Sequence, residues 1–201
     1  MGAGILPTTI HKNKIYFLFG KENKFADTPG WSDMGGGTDN KESYIETAIR
    51  EGGEELTGFL GSKIDLKKKI KKYGTYNIDL NNNYRMHIFP MEYEPMIVHY
   101  YNNNQRFIQK HLDENIIKNC KIFEKSEIRW ISIDEISKMK KEFRSYFQNI
   151  IEIILQERKN IESFIRKSLS SYSSSHFKYK KRTSFFPNRK KNNKTRKLFS
   201  Y

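Results

Sequence analysis

The stretch from residue 36 to residue 58 places three carboxylates on one face of a predicted helix. Glu51, Glu54 and Glu55 are three and four positions apart, a spacing that brings side chains together on an α-helix. Carboxylates this close repel one another unless a cation lies among them. Hard divalent cations such as Mg²⁺ or Mn²⁺ prefer oxygen ligands of this kind. The pattern therefore predicts a helix that carries a cation site.

A solvent-facing acidic stripe is the alternative interpretation of the same three residues. Gly52 and Gly53 lie within the predicted helix, and each costs about 1 kcal/mol relative to alanine. A simple surface helix gains nothing from them. The glycine-rich turn at residues 35–37 precedes the helix, and its backbone can approach a ligand closely. Both features favour the cation site.

The spacing of the charged residues also resembles a known signature. Five residues separate Gly36 from Glu42, and seven separate Glu42 from the pair Arg50-Glu51. Two more residues lead to Glu54-Glu55, and the whole resembles the signature of the Nudix hydrolases. The flanking residues 31–37 and 128–132 are similar to that family as well, so the resemblance covers residues 5–155. It departs at Thr57, where the family has glycine, and at Gly52, where it has an aliphatic residue.

The resemblance implies an α/β/α sandwich with a mixed sheet, and hydrolysis of a nucleoside diphosphate linked to another moiety. It implies Mg²⁺ or Mn²⁺ as cofactor, held by the carbonyl of Gly35 and by Glu51, Glu54 and Glu55, with Arg50 orienting Glu51. Glu51 is a ligand or a catalytic base. A base outside the helix is often needed, and the candidates are Glu92, Glu94, Glu124 and Glu127.

The net charge of +14 is concentrated at the end of the chain. No acidic residue follows Glu162, and residues 167–201 contain eight lysines and three arginines, a charge of +11, against +3 for residues 1–166. Such a composition cannot bury enough apolar surface to offset its ordering entropy. We therefore predict a Nudix-like domain over residues 1–166 and a disordered basic tail over residues 167–201.

Aromatic residues such as Phe177, Tyr179 and Phe185 alternate with the cations of this tail. Aromatic side chains can stack on unpaired bases while cations contact phosphates, so the tail is predicted to bind nucleic acid. The alternative is a solvated segment that directs localisation, including entry to the nucleus. The single Cys120 and the absence of a long apolar stretch favour a cytoplasmic protein without a membrane span.

Local patterns elsewhere predict a mixed α/β or α+β sandwich, with a helix at residues 42–56 capped by Thr38 or Asn40. Further predicted helices cover residues 104–118, 134–140 and 143–165. Predicted strands cover residues 15–19, 70–80, 84–93 and 127–133.

The leading functional hypothesis is a metal-dependent Nudix pyrophosphohydrolase. The basic tail favours an RNA-linked substrate such as the 5′ cap of mRNA, the reaction of some viral members of the family. Small nucleotides and diphosphoinositols remain alternatives. A different class of function is a non-catalytic RNA-binding module on the same scaffold. The sequence does not determine the oligomeric state.

Overall fold

The computed structural model describes residues 1–182 except Asn40, Asn82 and residues 121–122. Its strands are β1 (Gly2–His11), β2 (Lys14–Glu22), β3 (Trp31–Ser32), β4 (Met34–Gly37), β5 (Tyr76–Leu80), β6 (Tyr84–Pro90) and β7 (Lys125–Ser132). Its helices are α1 (Tyr44–Glu55), α2 (Lys63–Tyr73), α3 (Pro95–His111), α4 (Glu114–Asn119), α5 (Ile133–Lys138), α6 (Gln148–Gln156) and α7 (Arg158–Arg182).

These strands form a mixed sheet centred on β1. β1 runs parallel to β6 and antiparallel to β2 and β4, while β7 pairs with β2 and β5 with β6. Successive strand residues point to opposite faces of the sheet. Ile5 and Leu6 accordingly belong to two different apolar clusters, as do Leu18 and Phe19. This alternation gives the sheet two buried faces.

Helices cover both of those faces. The buried side chains of α1, α2 and α3 pack on one face, and those of α5, α6 and the first part of α7 pack on the other. The predicted α/β sandwich with a mixed sheet is therefore confirmed. In the part of the chain that the structure describes, no helix is both long and apolar enough to cross a bilayer.

Helix α1 agrees with the predicted helix at residues 42–56 but begins differently. Its N-cap is Ser43, whose side chain accepts from the backbone of Glu46 while the Glu46 carboxylate accepts from the Ser43 backbone. This reciprocal capping box satisfies two N–H groups that would otherwise lack partners. The predicted cap Thr38 was therefore wrong, and Asn40, the other predicted cap, lies outside the described residues.

Other predicted elements are shifted or divided. Residues 70–80 are not one strand, because α2 continues to Tyr73 and β5 begins only at Tyr76. The predicted helix at residues 104–118 begins earlier, at Pro95, and is split into α3 and α4. The predicted helix at residues 143–165 is divided between a 3₁₀ turn, α6 and α7. In each case the apolar pattern in the sequence indicated a buried element, but no sequence signal marked the turn that interrupts it.

The structure describes only the first part of the predicted basic tail. The chain divides into two compact units, residues 1–169 and 170–201. Residues 167–182, expected to be disordered, belong to α7, and residues 183–201 lie outside the described part of the chain. Ile161 and Ile165 of α7 are fully buried in the first unit. The boundary after residue 166 stays a prediction.

The two glycines of α1 have opposite surroundings. A Cβ on Gly52 would lie less than 3.0 Å from the side chain of the fully buried Ile5, whereas a Cβ on Gly53 would meet only the Lys63 side chain, at an ordinary 3.8 Å. Ile5 thus fills the volume that an aliphatic side chain at position 52 would need. This packing explains why the departure from the family pattern at Gly52 leaves the helix intact.

Alanine should therefore have opposite effects at the two positions. Gly53→Ala should raise the free energy of unfolding by about 0.5–1 kcal/mol, because the helix interior favours alanine. Gly52→Ala should lower it by about 1–3 kcal/mol through overpacking against Ile5. Urea unfolding of the two variants measures the difference, and equal shifts would contradict the packing described here.

Candidate active site

Arg50 organises the acidic face of α1. Its Nη1 donates to Glu51 Oε1 at 2.7 Å and to Glu54 Oε2 at 3.4 Å. Its Nε donates to Glu42 at 2.9 Å, and its Nη2 donates to the carbonyl of Gly37 at 2.8 Å. The guanidinium therefore joins the two predicted ligand carboxylates to the glycine turn that precedes the helix.

The charges around Arg50 reinforce one another. A hydrogen bond from Arg50 lowers the pKa of Glu42 to about 2. The same hydrogen bond, assisted by Glu51, raises the pKa of Arg50 above its usual value. Glu46, by contrast, caps the helix at Ser43 and stands outside this network. The predicted contact between Arg50 and Glu51 is present in the structure.

Gly36 allows the Glu51 carboxylate to approach the turn. A Cβ at this position would lie less than 3.0 Å from the carboxylate of Glu51. Glu51 is mostly buried, with 11% of its side chain exposed, whereas Glu54 is 35% exposed and also pairs with Lys63 at 3.5 Å. The three predicted ligand side chains therefore have different surroundings, with Glu54 facing solvent most.

Glu55 lies in a buried group of charges that the sequence did not indicate. Its Oε1 is 3.4 Å from Nζ of the fully buried Lys125, which also contacts Glu22 and donates to Ser32 Oγ at 2.9 Å. Burial lowers the pKa of Lys125, but the carboxylates of Glu55 and Glu22 outweigh it, and the pKa is raised overall. Burial raises the pKa of Glu55 well above its usual value, although Lys125 opposes this shift.

Asp33 and Tyr84 extend this buried group towards the glycine turn. The Tyr84 hydroxyl donates to Asp33 Oδ2 at 2.8 Å. Burial raises the pKa of Asp33 to about 6, against the opposing effect of Tyr84 and Lys125. Arg144 contacts the same Glu22 oxygen as Lys125, at 2.7 Å. The buried group of charges therefore combines the carboxylates of Glu22, Asp33 and Glu55 with the cations of Lys125 and Arg144.

A polar cavity of about 390 Å³ opens beside this group. Residues at its wall include Glu22, Gly35, Glu55, Lys118, Glu124 and Arg144. The structure thus brings Gly35 and Glu55, two of the predicted ligands, to the same cavity. Acidic and basic side chains both line it, as a site for a phosphate chain and its counterion requires.

The candidate bases are dispersed. Glu124 lines the polar cavity, whereas Glu92 lines a different one that shares none of its wall residues. Glu94 caps α3 by accepting from Met96 N at 2.8 Å, and Glu127 lies on β7 opposite Lys21. The structure therefore does not bring Glu92, the first choice from the sequence, to Gly35 and Glu55.

The donor chemistry of the site fits a hard divalent cation. Glu55 Oε2 is buried and has no hydrogen-bond partner, and Glu51 and Glu54 supply further carboxylate oxygens on the same helix face. Among the described residues, however, no three acidic, histidine or cysteine side chains converge as a metal cluster. The carboxylates of Glu51, Glu54 and Glu55 each form an ion pair, with Arg50, Lys63 and Lys125 respectively.

Comparisons with known proteins give structural matches only. No family model and no curated protein match the chain. Among solved structures, a Nudix hydrolase from M. smegmatis, RenU, matches with a TM-score of 0.47 and 12% identity, over 80% of this chain and 86% of that one. The Nudix domain of Shewanella oneidensis NrtR, crystallised with ADP-ribose, gives 0.44 and 14%, over 80% and 86%. A C. elegans Ap4A hydrolase gives 0.40 and 14%, over 87% and 97%.

The chain resembles the Nudix hydrolases. At this low identity and TM-score the likeness concerns the fold, and a fold by itself does not determine a reaction.

Five residues of the site were not predicted from the sequence. They are Glu22, Asp33, Tyr84, Lys125 and Arg144. Lys125 meets Glu22 only because β7 pairs with β2 in the register that places these two residues opposite each other, next to an irregularity at Lys21 and Glu22. Arg144 comes from a loop far along the chain. No spacing in the sequence signals such contacts.

Proposed function

We propose that the chain is a metal-dependent hydrolase of the Nudix type that cleaves a phosphoanhydride bond in a nucleoside diphosphate linked to another moiety. The observation that carries the proposal is the unpartnered, buried Glu55 oxygen at the cavity that also contains Gly35. The Arg50 network supplies two further carboxylates on the same helix.

The carbonyl of Gly35 and the side chains of Glu51, Glu54 and Glu55 would hold Mg²⁺ or Mn²⁺. When bound, the cation neutralises charge on the pyrophosphate and lowers the pKa of a water molecule. Arg50 keeps Glu51 in place through a charge-assisted hydrogen bond. Lys118 and Arg144, at the cavity wall, offer cationic groups to phosphate oxygens. Of the four candidate bases, Glu124 is the one that lines this cavity, so it would accept the proton from water.

A panel of substrates tests the proposal. Purified protein should release phosphate products from at least one of capped RNA, nucleoside triphosphates, dinucleoside polyphosphates, nucleotide sugars or diphosphoinositols when Mg²⁺ or Mn²⁺ is added. Chelation of the metal should abolish the release. Binding of RNA without turnover of any of these compounds would favour the alternative, a non-catalytic RNA-binding module.

Within this class we propose the 5′ cap of RNA as the substrate, in the cytoplasm. The support is the basic composition of residues 167–201, which carry +11 without an acidic residue. A small nucleotide needs no such segment, whereas a long polyanion gains from it through release of counterions.

Arg50→Lys tests the orienting contact. Lysine lacks the planar fork that lets Arg50 contact Glu42 and Glu51 with different nitrogens at once. We expect kcat to fall about 10- to 100-fold, the range seen when a residue that orients a metal ligand is changed, while KM changes little. Steady-state kinetics on the best substrate of the panel measure both. Wild-type kcat would mean that Arg50 serves only the stability of α1.

Truncation after Leu169 tests the basic segment. It removes seven lysines and three arginines but keeps Leu169, which packs against the apolar cluster under α6 and α7. RNA affinity should fall. The slope of log K against log salt should become less steep by about 0.7 for each phosphate that is no longer neutralised. Turnover of a small nucleotide should be unchanged, because residues 35–55 are intact. Loss of that turnover would show that the removed segment belongs to the catalytic fold.

A further inference from the structure

Helix α2 concentrates positive charge on the folded domain. Its eleven residues contain six lysines and one aspartate, a net charge of +5. Residues 1–166 together carry only +3, so the rest of that part of the chain is slightly acidic, at −2. A charge of this density on one short helix attracts polyanions.

The stability of the helix does not require these lysines. α2 packs on the sheet through Leu66 and Ile70, which are buried, while Lys67, Lys68 and Lys71 are exposed. Lys67 and Lys71 are four positions apart, as are Lys68 and Lys72, and like charges at that spacing destabilise a helix. An anion bound among these lysines would relieve the repulsion between them.

An aromatic cavity borders the same helix. It has a volume of about 590 Å³, and its wall includes Lys69, Lys72, Tyr93, Met96 and Tyr100. Tyr100 is 59% exposed and Met96 is 44% exposed, so both side chains are accessible to a ligand in the cavity. Glu92 and Glu94 at the same wall carry carboxylates that can accept hydrogen bonds from base amino groups. An exposed aromatic ring beside lysines suits an unpaired base and its phosphate.

The helix also reaches the candidate active site. Lys63, its first residue, pairs with Glu54 at 3.5 Å, while Lys69 and Lys72, near its last residue, line the aromatic cavity. Eleven helical residues extend over about 16 Å. A single-stranded nucleic acid lying along α2 would therefore have one end near the acidic face of α1, and its other end would pass the aromatic cavity.

We propose that α2 and the adjoining aromatic cavity bind the single-stranded RNA portion of the substrate, independently of residues 170–201. The exposed lysines of α2 neutralise successive phosphates, and Tyr100 stacks on a base. That this RNA belongs to the substrate rests on the proposed function, but the binding itself does not require hydrolysis.

The test uses the full chain with the metal chelated, so that binding is measured without turnover. In one variant Lys67, Lys68 and Lys71 become glutamine, which keeps helix propensity. In the matched control Lys138, Lys141 and Lys159, exposed lysines of other segments, become glutamine. Fluorescence anisotropy with a short single-stranded oligoribonucleotide is recorded over a salt series, and circular dichroism checks the helix content of both proteins.

We expect the α2 variant to bind at least about 10-fold more weakly. The slope of log K against log salt should become less steep by about 2, because three phosphates are no longer neutralised. The control should change affinity less than about 2-fold. Equal effects of the two variants would overturn the proposal, since they would show that only the total charge matters.

Tyr100→Leu tests the stacking. It keeps an apolar side chain of similar size and removes the aromatic ring. We expect binding of the oligoribonucleotide to weaken by about 5-fold or more, and no change in the binding of inorganic polyphosphate, which has no base. Unchanged RNA affinity, or equal weakening for RNA and polyphosphate, would contradict a base at this cavity. Failure of hydrolysis in the substrate panel would leave these binding results intact.

Discussion

Glu54→Gln should reduce hydrolysis by more than about 100-fold while the protein remains folded. Even residues that only orient a metal ligand change activity by about 10- to 100-fold, so removal of a ligand charge should cost more. Glu54 is partly exposed and contacts Arg50 and Lys63 at 3.4 and 3.5 Å. Glutamine keeps its shape, so packing is not disturbed. The measurement is kcat on the best substrate, with urea unfolding of the same preparation.

Glu46→Gln is the matched control. It makes the same change of charge on the same helix, and glutamine can still complete the capping box with Ser43. We expect wild-type turnover. If Glu54→Gln also kept full turnover, or if turnover persisted in excess chelator, the metal-dependent mechanism would be wrong.

Lys125→Met should lower the free energy of unfolding by about 3–5 kcal/mol, the usual result of removing one partner of a buried ion pair. The Lys125 side chain has no exposed surface, and its ammonium contacts Glu22 and Glu55, whose side chains are 6% and 4% exposed. Methionine fills a similar volume, so the destabilisation would come from the Glu55 carboxylate, left without its cation, and from Glu22, which would keep only Arg144. Urea unfolding at neutral pH measures it.

Lys24→Met is the control for the removal of a lysine ion pair as such. Lys24 pairs with Glu114, but both side chains are well exposed, at 66% and 71%. Exposed pairs contribute less than about 1 kcal/mol. A similar small effect for Lys125→Met would mean that water reaches the buried group and screens it.

The local signals of the sequence were sufficient for α1 and for its acidic face. Both depend on positions three and four residues apart, where helix periodicity fixes which side chains share a face. The contact between the adjacent residues Arg50 and Glu51 was implied by the resemblance instead. The fold class was accessible for the same reason, because alternating and helical apolar patterns show which elements have a buried face. The exact cap, Ser43, was missed since several neighbouring residues can serve as an N-cap.

Strand β1 shows where local signals fail. It is the centre of the sheet, yet it contains two glycines and Pro7, which are unfavourable in strands. Pro7 falls between the residues paired with β4 and those paired with β2. Only the arrangement of three neighbouring strands makes this position acceptable. A strand of this kind cannot be predicted from its own residues.

The sequence by itself determined the acidic helix face, the sandwich architecture and the uneven distribution of charge, because each follows from spacing or composition along the chain. The tertiary structure decided that Glu55 contacts Lys125 and that Glu22 and Arg144 belong to the same group of charges. It also decided that Glu124, and not Glu92, lines the polar cavity. Finally, it placed the lysines of α2 between the acidic face of α1 and an aromatic cavity. These contacts join residues far apart in sequence. Strand register and helix packing set them, and both depend on the burial of apolar surface across the whole domain rather than on any local pattern.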